Sequence, residues 1–217
     1  MGVRLLLADD HEIVRKGLRA LLEGEPDWEV AAEVADGRDA VDKTRELKPD
    51  VAILDISMPL LNGLEAARQI VKDGSQTKVL VLTMHDSDPL IQQVLAAGAR
   101  GYILKSDAAR DLVTAVDALR RNKTFFTPKV AQVVLEGYLD KNPREALPDG
   151  GCFRLTTRQR EIVQLLAEGK SSKEVASALG LSVKTAETHR ASIMRRLDCH
   201  SVTALVRYAI RNHIIEA

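Results

Sequence analysis

The chain has 217 residues, enough for one large or two small cores, and its 45% hydrophobic and 29% charged content is that of ordinary globular protein. No apolar run approaches the roughly 20 residues of a membrane helix, and the opening MGVRLLLADDHE reads as a buried strand, not a signal peptide. The formal net charge of zero hides an asymmetry: residues 1–123 carry 17 Lys+Arg against 21 Asp+Glu, residues 124–150 carry 3 against 4, and residues 151–217 carry 11 against 6, so only the last part suits a polyanion.

In chain order, residues 3–8, 51–54, 78–82 and 100–104 are short aliphatic runs bounded by polar, Gly or Pro residues, as in strands covered on both faces of a parallel sheet, and residues 28–34 (WEVAAEV) supply a fifth, weaker strand. Between them lie amphipathic stretches at 12–22, 37–47, 63–72, 88–97 and 107–121; the first sets Ile13, Val14, Leu18, Leu21 and Leu22 at helical spacing. Five strand–helix repeats predict a doubly wound α/β domain over residues 1–123, a five-stranded parallel sheet of flavodoxin type in the order 2-1-3-4-5. Residues 124–151 read as a linker with a helix near 129–139 and a turn-rich stretch from Asn142 to Gly151.

From Leu155 onward the pattern is helical, predicting a small all-α domain over 152–217. Thr156-x-x-Gln159 and Ser171-x-x-Glu174 are capping boxes, with Gly169 and Gly180 as stops. Ser182 caps a third helix to about Leu197, and a fourth spans about 201–212. The three-residue connection 180–182 between the second and third helices is helix-turn-helix grammar. Cys152 and Cys199 have neither C-x-x-C nor zinc spacing and read as reduced structural thiols of a cytoplasmic protein.

Ligand sites of open α/β sheets lie at the carboxyl ends of strands. Those ends carry Asp9 and Asp10, Asp55, Thr83 and Lys105 in turn, so three carboxylates, a hydroxyl and an ammonium converge on one rim. Clustered carboxylates repel and raise each other's pKa; a hard divalent cation relieves this, and an all-oxygen set favours Mg²⁺ over zinc. A carboxylate beside such a cation can accept a phosphoryl group, with Lys105 pairing first to the carboxylate and then to the phosphoryl, and Thr83 bonding one of its oxygens. The pair His11 and His85 flanks the rim without partners that suggest a metal role.

In the second half, Val183, Ala186, Ile193 and Leu197 form one apolar face of the third helix, with His189 and Arg190 leaning toward it. Lys184, Thr185, Glu187, Thr188, Ala191 and Ser192 face away, a hydrogen-bonding surface suited to the major groove; Ser182 stands at its start. Lys173, Arg190, Arg195 and Arg196 are placed for phosphates.

Asp9-Asp10, the DISMP stretch with Asp55, Thr83 and Lys105 together resemble the receiver domain of bacterial two-component response regulators, over residues 1–121. The stretches LTTRQREIVQLLAEGKSSKEVASALGLSVKTAETHRASIMRRL and SVTALVRYAIRNHII resemble the LuxR-type DNA-binding domain. The combination is similar to the NarL/FixJ class. The resemblance implies Asp55 as phosphoacceptor, Asp10 as direct metal ligand, Asp9 acting mainly through water, the backbone carbonyl of Ser57 as a further Mg²⁺ ligand, and Tyr102 as an aromatic switch. It also implies a sensor histidine kinase as phosphoryl source, inverted-repeat double-stranded DNA bound by a homodimer formed on phosphorylation, and RNA polymerase as a further partner. No enzymatic activity is expected beyond the chain's own phosphoryl transfer and dephosphorylation. Glu12 and Ser106 stand where many receivers have proline, and Ala186 where valine is commoner.

Two enzyme classes are disfavoured: haloacid-dehalogenase-type phosphatases need D-x-D, whereas Asp55 is followed by Ile56-Ser57, and no G-x-G-x-x-G follows the first strand. A quorum sensor would share the second half but would not need the acidic rim.

Overall fold

Every residue of Val51–Asp55 is buried, as a strand covered on both faces must be. The computed structural model describes residues 2–139 and 155–215 and divides into two compact units, Met1–Pro143 and Arg144–Ala217. The expected turn-rich linker from Asn142 to Gly151, and Cys152, lie outside the described residues.

In the first unit the elements alternate: β1 (Val3–Ala8), α1 (Glu12–Leu22), β2 (Trp28–Val34), α2 (Gly37–Leu47), β3 (Val51–Asp55), α3 (Gly63–Lys72), β4 (Lys78–Thr83), α4 (Asp88–Ala96), β5 (Gly101–Leu104), α5 (Ala108–Arg120) and α6 (Pro128–Leu139). All strand pairs are parallel, in the order β2-β1-β3-β4-β5. Successive side chains point to opposite faces, which sorts the core into two layers. Leu6, Ala8, Ala52, Leu54, Val79 and Val81 pack with Ala40, Ile70 and Val94. Leu5, Leu7, Val51, Ile53, Leu80 and Leu82 pack with Leu18, Leu22 and Leu119. Each such leucine, fully buried, contributes about 2 kcal/mol.

The order reverses between β1 and β3, so the chain leaves these neighbouring strands in opposite directions and opens a crevice above their carboxyl ends. Ala8 pairs with Leu54, Asp55 with Leu82 and Thr83 with Leu104. The register therefore sets Asp9, Asp55, Thr83 and Lys105 side by side. Gly63 holds the rim together: its backbone N–H donates to the Ile56 carbonyl at 2.9 Å. A Cβ at that position would stand 2.0 Å from the Asp55 carbonyl oxygen.

The helix α6 falls within the stretch read as linker from the sequence, and it packs on the first unit, with Val130 and Val133 sunk into the core that holds Leu90, Ile91 and Val94 of α4.

The second unit contains α7 (Thr157–Ala167), α8 (Ser172–Leu179), α9 (Val183–Arg196) and α10 (Val202–Arg211). Ile162, Val163, Leu165, Val175, Leu179, Ala186, Ile193, Leu205 and Ala209 are among its buried residues, as is Cys199. Both capping boxes form, the side chains of Thr156 and Ser171 accepting from the backbones of Gln159 and Glu174 while those side chains bond back; a cap of this kind is worth about 1 kcal/mol. Gly180 closes α8 in the left-handed region at φ 63°, where a side chain would be strained. No described helix is long and apolar enough to cross a membrane.

Candidate functional site

Lys105 is the hub of the rim. Its Nζ lies 2.8 Å from Asp9 Oδ2 and 2.9 Å from Asp55 Oδ2. Both acids are buried, Asp9 at 0% and Asp55 at 2% exposure, so the ammonium neutralises one of two charges in a place where water cannot. Burial lifts the Asp55 carboxyl to about 6, opposed by Lys105 and reinforced by Asp9 and Asp10. Burial pulls the Lys105 ammonium down, but its bonds to Asp9 and Asp55 outweigh this and hold it above its ordinary value. The pocket thus carries more negative charge than it can satisfy itself, and ligand atoms of Asp9, Asp10, His11 and Asp55 lie within 4.8 Å of one another. An oxygen-rich cluster short of positive charge fits a hard divalent cation.

Asp9 is not a helix N-cap. Its Oδ1 accepts from the His11 backbone N–H at 2.8 Å, while His11 itself occupies the cap position of α1 without a side-chain cap bond. The His11 ring, set aside in the sequence reading, has Nδ1 2.7 Å from Asp10 Oδ1. Thr83 Oγ1 accepts from the His85 N–H at 3.1 Å. Ser57 is half-buried in the bend that follows Asp55. All described peptide bonds are trans, that between Lys105 and Ser106 included.

Tyr102, the aromatic switch position implied by the resemblance, lies on β5. It is inward, 1% exposed, with its hydroxyl donating to the His85 carbonyl. Burial, and after it the charge of Asp86, raises the phenol pKa above its ordinary value.

In the second unit, the turn 180–182 and the Ser182 cap set the first turn of α9. Ser182 Oγ accepts from Thr185 N–H at 3.1 Å and bonds Thr185 Oγ1 at 2.8 Å, and Thr188 Oγ1 donates to the Lys184 carbonyl at 2.8 Å. Lys173, Ser182, Lys184, Thr185, Glu187, Thr188, Ala191, Arg195 and Arg196 are exposed, and Arg190 is half-buried. Val183 does not join the apolar face expected for it: it is 43% exposed. At about 100° per residue it sits about 80° around the helix from Ile193, off the buried stripe. Leu197, at the end of that stripe, and Ser192 are half-buried.

Residues 5–117 match the family model described as response regulator receiver domain, and residues 154–209 match that of bacterial regulatory proteins, luxR family. The chain is 40% identical over 213 residues to the transcriptional regulatory protein LiaR of Bacillus subtilis (strain 168), covering 98% of this chain and 99% of that protein. The chain is a two-component response regulator of the NarL/FixJ class. The oxygen regulatory protein NreC of Staphylococcus carnosus (strain TM300) is 37% identical over 99% of this chain and all of its own length. Among solved structures, the two-component response regulator RcsB–DNA complex superposes with a TM-score of 0.58 at 29% identity, covering 97% of this chain and 99% of that one.

As a regulator of this class, the chain is a DNA-binding transcription regulator and not a typical enzyme. The positions read from its sequence fall into two groups. The fold brings Asp9, Asp10, Asp55 and Lys105 together directly, with Thr83 one strand away from Asp55. The second group lines the exposed side of α9 and the start of α8. The structure places two residues otherwise than the sequence reading did: His11 sits against Asp10, to which it is adjacent in sequence, and Val183 lies off the apolar stripe of α9.

Proposed function

We propose that this response regulator accepts a phosphoryl group on Asp55 from a sensor histidine kinase and that phosphorylation controls its binding to DNA. The observation that carries the reading is the placement of Lys105 against both Asp9 and Asp55 on one rim. In it, Asp55 is the nucleophile, held deprotonated at neutral pH by Lys105 and by a cation at Asp9, Asp10, Asp55 and the Ser57 carbonyl. Mg²⁺ supplies charge neutralisation for the phosphoryl oxygens when bound. Asp10 would hold it directly and Asp9 mainly through water. Lys105 moves from the carboxylate to the phosphoryl group, and the Thr83 hydroxyl donates to a phosphoryl oxygen. Phosphoryl transfer and its hydrolytic reversal are the chain's only chemistry.

A phosphoryl bound to Thr83 favours the inward Tyr102, and the phosphorylated chain pairs into a homodimer on inverted-repeat DNA. Each α9 lies in a major groove. Lys184, Thr185, Glu187, Thr188 and Ala191 face base edges; the exposed Val183 offers an apolar group to thymine methyls. Lys173, Ser182, Arg190, Arg195 and Arg196 meet phosphates, the net positive charge of residues 151–217 drawing the domain to the duplex. The bound dimer then meets RNA polymerase. The work is cytoplasmic. The reading divides the chain into a receiver over 1–123, a connecting stretch over 124–151 and a DNA-binding domain over 152–217.

Intact mass after incubation with acetyl phosphate tests the reading. One Mg²⁺-dependent phosphoryl adduct on the wild-type chain, lost in Asp55→Asn, is expected. Labelling that persists in Asp55→Asn overturns it.

A further inference from the structure

The residues after Thr83 reach three different parts of the first unit. The His85 N–H bonds Thr83 Oγ1, and the His85 carbonyl accepts from the Tyr102 hydroxyl. The next residue, Asp86, has Oδ2 3.0 Å from Nζ of Lys129 in the first turn of α6, with Asp88 Oδ1 at 4.0 Å. Tyr102 touches the same segment through its backbone: its N–H donates to the Phe125 carbonyl at 3.0 Å, and the Phe125 N–H donates to Arg100 at 3.0 Å. A cavity of about 290 Å³ lies among Asp86, Tyr102, Phe125, Phe126 and Lys129, so the ring and the start of α6 share one space.

We propose that Asp86 and Lys129 form a latch through which the phosphorylation state of Asp55 sets how firmly α6 docks on α4, phosphorylation favouring the docked helix. The inference rests on the proposed phosphorylation of Asp55 and deepens it by naming where the signal leaves the pocket. The inward Tyr102 and the ion pair at Lys129 belong to one conformation of residues 84–87, because adjacent residues of that loop make both contacts. Whatever favours the inward ring therefore favours the pair. Val130 and Val133 supply the apolar part of the docking, which does not depend on phosphate. The ion pair supplies the part that does. Lys129 and Asp86 are about half exposed, so the pair biases the equilibrium by a few-fold only, which is what a reversible switch needs. In sequence, α6 is the last described element before the DNA-binding unit.

Hydrogen exchange of the amides of residues 129–139 in the full chain, with and without acetyl phosphate and Mg²⁺, tests the latch, with intact mass read in parallel. In the wild type, phosphorylation should slow exchange in α6 by about threefold or more. Lys129→Glu should take up the same phosphoryl adduct yet show no slowing, and the exchanged pair Asp86→Lys with Lys129→Glu should restore it. Unchanged exchange in a wild-type chain that carries the adduct overturns the latch and leaves the phosphorylation reading intact. Equal slowing in Lys129→Glu, or no restoration in the exchanged pair, also overturns it. A wild-type chain without adduct overturns the phosphorylation reading, and the latch falls with it.

Discussion

Replacing Asp55 with asparagine should stabilise the first unit at neutral pH when no divalent cation is present. In the fold the Asp55 carboxyl titrates at about 6, chiefly because it is buried, whereas in an unfolded chain it titrates near 3.9. A folded-state pKa above the unfolded one means that the folded chain holds its proton longer. The contribution of Asp55 to stability is therefore intact below about pH 4, is lost as pH rises through about 6, and is flat above that. Two units at about 1.4 kcal/mol each give a cost of about 3 kcal/mol at neutral pH. Asparagine keeps the shape and cannot ionise, so Asp55→Asn should gain about 3 kcal/mol on the wild type between pH 4 and pH 7.5. The assay is available in the full chain. Trp28 is the sole tryptophan and packs against the sheet core of the first unit, so its fluorescence in urea follows that unit alone. Groups remote from the pocket cancel in the difference, whereas Lys105, Asp9 and Asp10 are coupled to Asp55 and contribute to it. A difference that stays flat across this range in a chelator, or that favours the wild type as pH rises, would refute the electrostatic description of the pocket. Saturating Mg²⁺ should shrink the gap, since it binds the wild-type pocket more tightly.

Asp10→Asn should weaken Mg²⁺ binding far more than Thr83→Ala, measured by calorimetry; equal affinities would contradict the ligand roles. Gly63→Ala should destabilise the first unit by more than the about 1 kcal/mol typical of point mutants, because its Cβ would stand 2.0 Å from the Asp55 carbonyl oxygen, again read by Trp28 in urea. Lys184→Ala should cost about 1–3 kcal/mol at particular base pairs and relax sequence choice there. Arg196→Ala should instead weaken all sites alike and flatten the salt dependence by about one unit. A panel of DNA sites across a salt series separates the two, and the reverse pattern would mean that α9 is turned the other way.

The strands were legible because a parallel sheet covered on both faces demands uninterrupted apolar runs, and β3 and β4 supply them. The helices of the second unit were legible from Thr156, Ser171, Gly180 and Ser182, whose cap chemistry is local. The rim followed from topology, since the reversal between β1 and β3 fixes which strand ends adjoin. Features that depend on distant partners could not be read. Lys129 pairs with Asp86, 43 positions away in sequence, so the docking of α6 was invisible in a stretch with three prolines. The rotamer of Tyr102 depends on space left by the surrounding core, which a strand pattern does not specify. Val183 looked apolar enough for the core face, and only its angle on the helix placed it outside.

The central claim is that phosphorylation of Asp55 controls DNA binding, and one titration tests it most directly. The full chain, with and without acetyl phosphate and Mg²⁺, would be titrated against an inverted-repeat duplex selected by this protein from random DNA, beside Asp55→Asn under the same conditions. The account predicts that affinity for the repeat rises on phosphorylation of the wild type and does not change in Asp55→Asn. Equal affinity in the wild type with and without a verified phosphoryl adduct would contradict it.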